Sequence, residues 1–231
     1  WYLQHVFDEK GQQKFDEKGL PLHQLTFVTG SGFVIKDEDG VSVLSNFHLL
    51  SDTDSDHLTA VFACFDTNKR REPTSLTVVG YDMQMDVMLL RFIDQDMAQK
   101  LRGFRLGASK NLRLKEAVWA FGFPGSLGGQ TIAETFGTVI NTSVSGILYS
   151  RGQPQLIIHS AMINPGNSGG PLVNQQGEVV GMNFLMMSTR VGGNVYNGAI
   201  PIDDIKFLLP KLKQGTVEHP PVDLLAFLNT W

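Results

Sequence analysis

From Leu25 onward the chain is cut into short runs of β-branched, aromatic and apolar residues, separated by Gly, Asn, Asp and Pro. Runs of about four to eight residues with turn signals between them are the mark of an all-β barrel or sandwich and leave no room for a helical core. Strands are predicted in Leu25–Val28, Gly32–Ile35, Ser42–Ser45, Leu58–Phe65, Leu76–Val79, Val87–Phe92, Ala117–Phe121, Gly137–Asn141, Leu156–His159, Pro171–Val173, Glu178–Asn183 and Asn197–Ile200. That is enough for two six-stranded antiparallel β-barrels. Basic residues and Gly replace the apolar runs across Arg102–Lys115, which places the crossover between the halves there. Only Asp94–Leu101 and the tail look helical. In the tail Ile202, Ile205, Leu208 and Leu209 fall at helical spacing behind Pro201, with Pro210 interrupting and Gly215 stopping the pattern. The expected organisation is a polar arm over 1–21, a first barrel over 22–103, a second over 104–201, and a short helix with its tail over 202–231. The arm carries Phe7-Asp8-Glu9-Lys10-Gly11 and again Phe15-Asp16-Glu17-Lys18-Gly19, an echo too short for a repeat architecture and read as a solvated arm or hairpin.

Several function classes are disfavoured early. A chain of 231 residues can bury a full core without a metal or a disulfide. Its formal charge of -4, with Lys and Arg scattered, offers no basic stripe for a phosphate backbone, so no nucleic-acid partner is expected. Cys64 is the only cysteine, which rules out an intramolecular disulfide and a cysteine-based zinc cluster, and no HExxH spacing occurs. No apolar run reaches the roughly twenty residues of a membrane span, and Trp1-Tyr2-Leu3-Gln4-His5 lacks the form of a signal peptide. The sequence is therefore expected to be a mature or trimmed form.

The most specific element is Asn164-Pro165-Gly166-Asn167-Ser168-Gly169-Gly170-Pro171-Leu172. A serine within a glycine-rich loop leading into a strand suits acyl transfer, because such a loop can turn amide N–H groups towards a developing oxyanion. The amides of Gly166 and Ser168 are the expected donors. Taken alone, the segment could also be an ordinary hairpin loop with an exposed serine. A serine hydroxyl needs a base within hydrogen-bond reach and a third group to orient that base. His48, expected to close the strand Ser42–Ser45 in the stretch Asn46-Phe47-His48-Leu49, is the candidate base. His5, His23 and His219 lie in polar or terminal stretches, His57 follows the acidic loop Asp52–Asp56, and His159 sits within a strand. Asp86, leading into the apolar Val87-Met88-Leu89-Leu90, is the candidate orienter, since a carboxylate entering a buried strand is costly unless paired. Asp82 is expected to be a solvated turn residue.

Across roughly Gly30 to Lys206 the chain resembles the protease domain of the HtrA/Deg family of chymotrypsin-fold serine proteases. The resemblance is carried by Gly30-Ser31-Gly32-Phe33-Val34-Ile35, Ser45-Asn46-Phe47-His48, Asp86-Val87-Met88-Leu89-Leu90, Phe121-Gly122-Phe123-Pro124, Asn164–Leu172 and Ala199-Ile200-Pro201. The order His, Asp, Ser separates it from the Ser, Asp, His order of the α/β-hydrolases. It implies a chymotrypsin-like double barrel with a His48, Asp86 and Ser168 triad in the cleft, and cleavage of unfolded or misfolded polypeptides through an acyl-enzyme, without ATP or any cofactor. It further implies an S1 pocket lined by Ile163, Phe184, Leu185, Met186 and Met187, hence aliphatic P1 residues, although these methionines could equally fill a core. A homotrimer and an extracytoplasmic, periplasmic setting are implied in the same way.

There are departures. Ser160 stands where an acidic residue is common, Met88 where a small residue is usual, and no PDZ domain follows, so the chain is expected to be truncated or free of PDZ control. Asn167 replaces the aspartate that pairs with a freed N-terminus in trypsin-like zymogens, which disfavours activation by clipping. Phe121–Gly129 and Thr142–Gln153 are rich enough in Gly and Ser to be mobile loops near the cleft, and the resemblance implies that such loops switch the oxyanion site between collapsed and formed states. A chaperone-like peptide binder with latent catalysis and a narrow-specificity processing protease stay open as alternatives.

Overall fold

The computed structural model describes residues 2–5, 12, 14–20, 23–26, 28–51, 61–64, 73–125, 131–144, 156–188, 195–215 and 217–218. Two short strands, β1 (Tyr2–His5) and β2 (His23–Thr26), pair antiparallel, so the opening stretch contributes a ladder of its own. The next strands are β3 (Phe33–Asp37), β4 (Gly40–Ser45), β5 (Val61–Ala63), β6 (Thr74–Asp82) and β7 (Val87–Phe92), with one helical turn, α1 (His48–Ser51), after β4. They form a sheet in the order β6-β7-β4-β3 with β5 beside β6.

The run Val87-Met88-Leu89-Leu90 shows why this half needs apolar residues at consecutive positions. Strand side chains alternate between faces. Val87 and Leu89 face one cluster with Phe33, Ile35 and Leu44, whereas Met88, Leu90 and Phe92 face another with Val41, Val43, Phe47 and Leu76. Both faces of β7 are thus covered.

A short helix, α2 (Gln95–Gln99), is capped by the Asp94 side chain, which accepts from Met97 N–H at 2.9 Å. The second half contains β8 (Arg105–Leu106), β9 (Ala117–Gly122), β10 (Ala133–Val144), β11 (Leu156–His159), β12 (Pro171–Asn174), β13 (Glu178–Ser188) and β14 (Val195–Pro201). The order β12-β9-β10-β11-β14-β13 closes on itself through the β12–β13 pairing, a six-stranded barrel, and β8 adds to β13 in parallel. Val118, Ala120, Val139, Ile157, Leu172, Val180 and Ala199 fill one core cluster of this half.

A larger cluster joins the two halves. Phe33, Leu44, Val87 and Leu89 meet Leu156, Ile158, Met182 and Ile200, and the last helix, α3 (Ile202–Lys213), seals them with Ile202, Ile205, Leu208 and Leu212. Leu89 is fully buried, so truncating it to Ala is expected to cost about 2–5 kcal/mol. A final strand, β15 (Val217–Glu218), runs parallel to β6.

The all-β, chymotrypsin-like reading with a C-terminal helix holds, with corrections: the second half is a closed six-stranded barrel, while the described strands of the first half form a second antiparallel sheet joined by the parallel β15. Pro210 does not interrupt the helix; it lies inside α3, exposed, while the buried residues continue on either side of it, so packing outweighs the missing backbone bond. His48 opens α1 rather than closing β4, which ends at Ser45. Asp82 is buried, not solvated, and its carboxylate accepts from Met85 N–H at 3.0 Å to shape the turn before Asp86. Several strands run longer than expected, notably β6, β10 and β13, whereas of Leu58–Phe65 only Val61–Ala63 is a described strand. Residues 126–130 and 145–155, which include the end of the first expected mobile loop and most of the second, lie outside the described residues.

Candidate active site

The side of the candidate site that carries His48 and Asp86 is built where β4 ends beside the start of β7, with Ser45 opposite Met88. Asp86 lies just before that start, and the chain from Asn46 to His48 folds around it. The Asn46 amide donates to the Asp86 carbonyl at 2.9 Å and Phe47 N–H to the same oxygen at 3.3 Å. The carboxylate takes two more donors: His48 N–H on Oδ1 at 2.6 Å and the His48 ring Nδ1 on Oδ2 at 2.7 Å. Asp86 adopts φ 52°, a left-handed conformation that costs about 1 kcal/mol for most residues and that aspartate accepts more readily than they do. The surrounding donors hold it there.

An ionised carboxylate can only accept, so this contact fixes the proton on Nδ1 and leaves Nε2 with its lone pair. The Asp86 side chain is 6% exposed and that of His48 33%, so the pair is anchored on its inner edge and open on its outer one. The Phe184 ring stands edge-on to the imidazole, with centroids 6.5 Å apart.

The other side is the Ser168 loop, in which four successive carbonyls are engaged. Pro165 O accepts from Gly125 N–H at 2.8 Å, Gly166 O from the Ser31 hydroxyl at 2.6 Å, Asn167 O from Gly170 N–H at 2.9 Å, and Ser168 O from Ser31 N–H at 2.8 Å. In a planar trans peptide each carbonyl opposes the next N–H, so fixing these four oxygens aims the N–H groups of residues 166 to 169. Asn167 N–H closes a turn on Asn164 O at 2.9 Å, and Gly169 N–H reaches Asn183 O at 2.8 Å. The N–H groups of Gly166 and Ser168 have no hydrogen-bond partner among the described residues. Two such donors, one residue apart, are what an oxyanion requires.

Glycine is obligatory at two points. Gly166 has φ +102°, and a Cβ there would fall 2.4 Å from Phe123 O. At Gly169 (φ +85°) a Cβ would fall 2.2 Å from Ser31 O, 2.4 Å from Ser45 Oγ and 3.0 Å from Asn46 N. This second contact presses the residue after Ser168 against the end of β4, just ahead of His48. The fold therefore brings Ser168, His48 and Asp86 to one seam between the halves.

The residues expected to line S1 are divided. Ile163 packs in the core cluster with Leu172, Val180 and Ala199, and Phe184 is half-buried beside His48. Leu185, Met186 and Met187 lie in β13 opposite Gly198, Asn197 and Tyr196, and their side chains lie outside the described residues. Ser160 accepts from Thr138 N–H at 2.9 Å, a bond between neighbouring strands.

Three buried polar residues escaped sequence reasoning: His159, Asn183 and Asn197. His159 is opposite Asn197 across β11 and β14. Asn197 donates to Ala161 O at 2.8 Å and Asn183 to Pro171 O at 3.2 Å, tying the flanks of the nucleophile loop to the barrel. Burial drives the His159 pKa down to about 4, with the Ala161 backbone and the Asn183 side chain offsetting part of that. The available signal was a polar residue closing the apolar run Leu156-Ile157-Ile158. No group of His, Cys, Asp and Glu among the described residues is placed to hold a metal ion.

Comparison with known proteins agrees with this geometry. A trypsin-like peptidase domain matches residues 30–182. The chain is 31% identical over 201 residues to the serine protease Do-like HtrA of Lactobacillus helveticus, covering 84% of this chain and 46% of that protein. It is 35% identical over 192 residues to a probable periplasmic serine endoprotease, DegP-like, of a Marinomonas species, covering 83% of this chain and 36% of that protein. The chain thus spans less than half the length of these relatives. Among solved structures, the HtrA-type protease AlgW with a decapeptide shares the fold at a TM-score of 0.66 and 23% identity, covering 91% of this chain and 59% of that one. The chain belongs to the trypsin-like peptidase family, and the relatives it is similar to are HtrA- and DegP-like serine proteases.

Proposed function

We propose that the chain is a serine endopeptidase in which Ser168 is the nucleophile, His48 the general base and Asp86 the group that orients it. Ser168 Oγ attacks the scissile carbonyl carbon while His48 Nε2 takes the hydroxyl proton. The carbonyl oxygen becomes an alkoxide and is received by the N–H groups of Gly166 and Ser168. As the tetrahedral intermediate collapses, the C–N bond breaks and His48 gives its proton to the leaving amine, leaving an ester on Ser168. Water, deprotonated by His48, then attacks that ester and releases the new carboxyl terminus. Asp86 stays ionised throughout and stabilises the imidazolium.

The observation that carries this reading is the conjunction at one seam of a carboxylate bonded to both the backbone and the ring of His48, and a serine loop with two amides that have no partner among the described residues. The same pair of amides favours a competent resting state over a latent one. The HtrA-type relatives and the decapeptide in the solved AlgW structure support extended, unfolded polypeptides as substrates. The half-buried Phe184, edge-on to the His48 ring, supports an apolar P1 residue. The DegP-like relatives support an extracytoplasmic, periplasmic setting, and the resemblance supports a trimer, which sedimentation would read.

The test is digestion of a permanently unfolded protein by the wild type and by Ser168→Ala, with the new termini identified by mass spectrometry. Cuts after aliphatic residues that vanish in the variant are expected. Equal cutting by both proteins would exclude Ser168, and cutting confined to one native partner would favour a processing enzyme.

A further inference from the structure

Ser31 lies just ahead of β3, on the first-half side of the seam, yet it makes more bonds across the seam than within its own half. It is 6% exposed. Its N–H donates to Ser168 O at 2.8 Å, and its hydroxyl donates to Gly166 O at 2.6 Å while accepting from Phe123 N–H at 2.9 Å. Its own carbonyl accepts from Ser45 Oγ at 2.7 Å. Of the four carbonyls that fix the nucleophile loop, Ser31 alone holds two, those of Gly166 and Ser168; the other two are held by Gly125 and Gly170, both in the second half.

We propose that Ser31 is a positioning residue of the reaction, a strut whose hydroxyl and N–H fix the Gly166 and Ser168 carbonyls, in the peptides that follow the two oxyanion-facing amides, and so keep those amides in register with His48. This rests on the serine-endopeptidase reading above. The hydroxyl is the replaceable part. The Ser31 N–H bond is made by the backbone and survives any substitution except proline, but the bond to Gly166 O exists only while residue 31 carries a hydroxyl. Gly166 is at φ +102°, where only glycine is at ease, and its carbonyl has no other hydrogen-bond partner among the described residues. Without Ser31 Oγ, the peptide between Gly166 and Asn167 is held, among the described residues, only through Asn167 N–H on Asn164 O at 2.9 Å, and Phe123 N–H loses its acceptor. The Gly166 residue, whose own N–H is one of the two oxyanion-facing amides, is then fixed on one side only.

The strut also has a second end. Through the Ser45 hydroxyl it reaches the strand that leads to His48, so base and oxyanion site are braced against one residue. A change at Ser31 therefore acts on the transition state more than on substrate binding, because the bonds it removes lie in the loop that carries the oxyanion-facing amides.

The experiment compares kcat and KM on a peptide substrate for wild type, Ser31→Ala and Ser31→Thr, with Ser168→Ala as the reference for lost chemistry. Binding of a peptide aldehyde, which forms a tetrahedral adduct, is measured beside binding of the matching product acid. Ser31→Ala is expected to lower kcat about 10- to 100-fold, less than the loss of an oxyanion donor outright, with KM within about twofold. Aldehyde affinity should fall in parallel with kcat/KM and product-acid affinity should hold. Ser31→Thr, which keeps the hydroxyl, should recover most of the rate. Ser109→Ala removes another buried serine hydroxyl, one bonded to Asp203 in the first turn of α3 at 3.1 Å, and serves as the fold control with unchanged kcat. If Ser31→Ala does not fold, Ser31→Cys, with a weak donor of similar size, is read in its place. Wild-type kcat in Ser31→Ala, or equal loss of aldehyde and product-acid affinity, overturns the strut while leaving Ser168 in place. Full cleavage by Ser168→Ala overturns both.

Discussion

The two sides of the seam secure their chemistry by different means. On the first-half side a side chain does it: the Asp86 carboxylate gathers the backbone N–H and the ring of His48, and the Asn46 amide holds the Asp86 carbonyl. On the second-half side the backbone does it, with four engaged carbonyls and glycines at φ values closed to other residues. A proton-transfer group must be held in one tautomer and one orientation, which an ion-assisted bond provides. An oxyanion site must present N–H dipoles at a fixed place before charge appears, which a rigid peptide loop provides at no reorganisation cost. Substitutions on the first side should therefore be graded by charge, and those on the second by shape.

The charge side should break hardest. Asp86→Asn preserves the shape but removes the carboxylate that selects the Nδ1 proton, and kcat is expected to fall by about 10⁴-fold with the melting temperature little changed. Steady-state kinetics with circular dichroism check this, and a loss below tenfold would remove Asp86 from the pair. On the shape side, Gly166→Ala introduces a Cβ 2.4 Å from Phe123 O and should lower kcat by about 100- to 1000-fold. Gly177→Ala, also at positive φ but with nothing within 4 Å, is the comparison that separates strain from steric displacement; it should cost stability only.

His159 sharpens the contrast through pH. Its folded pKa, about 4, lies below the ordinary 6.5, so between those values the unfolded chain binds a proton that the folded chain refuses. Its contribution to stability is complete above pH 6.5 and is lost as pH falls towards 4, by about 3 kcal/mol at most. Denaturant titrations at pH 7 and pH 4.5 should show this loss in the wild type and a smaller one in His159→Gln. Parallel losses would mean that His159 is not the acid-sensitive group. The smallest effect is expected for Asn46→Ala, which frees the Asp86 carbonyl of one donor: about 1–3 kcal/mol of stability and a modest loss of rate.

Much of this was legible in the sequence where local chemistry and function coincide. His48, Asp86 and the Asn164–Leu172 loop stand out because each breaks the surrounding strand pattern in a way that acyl transfer explains. The apolar Val87–Leu90 gave the strand, though not the reason that both its faces are covered, which depends on the second half of the chain. Strands such as Arg105–Leu106 and Val217–Glu218 carry no local signal, since each exists only through parallel pairing with a distant partner. Pro210 misled because its propensity is local whereas the burial of Leu208 and Leu212 is tertiary. Ser31 was visible only as part of a Gly-Ser-Gly motif; its bonds to Gly166 and Ser168 cross more than a hundred residues of chain.

The most direct test of the account is covalent labelling with a fluorophosphonate, followed by mapping of the modified residue. The expected result is one adduct, on Ser168, absent in Ser168→Ala and formed far more slowly in His48→Ala. An adduct on another serine with cleavage intact, or labelling of Ser168 at the same rate without His48, would contradict it.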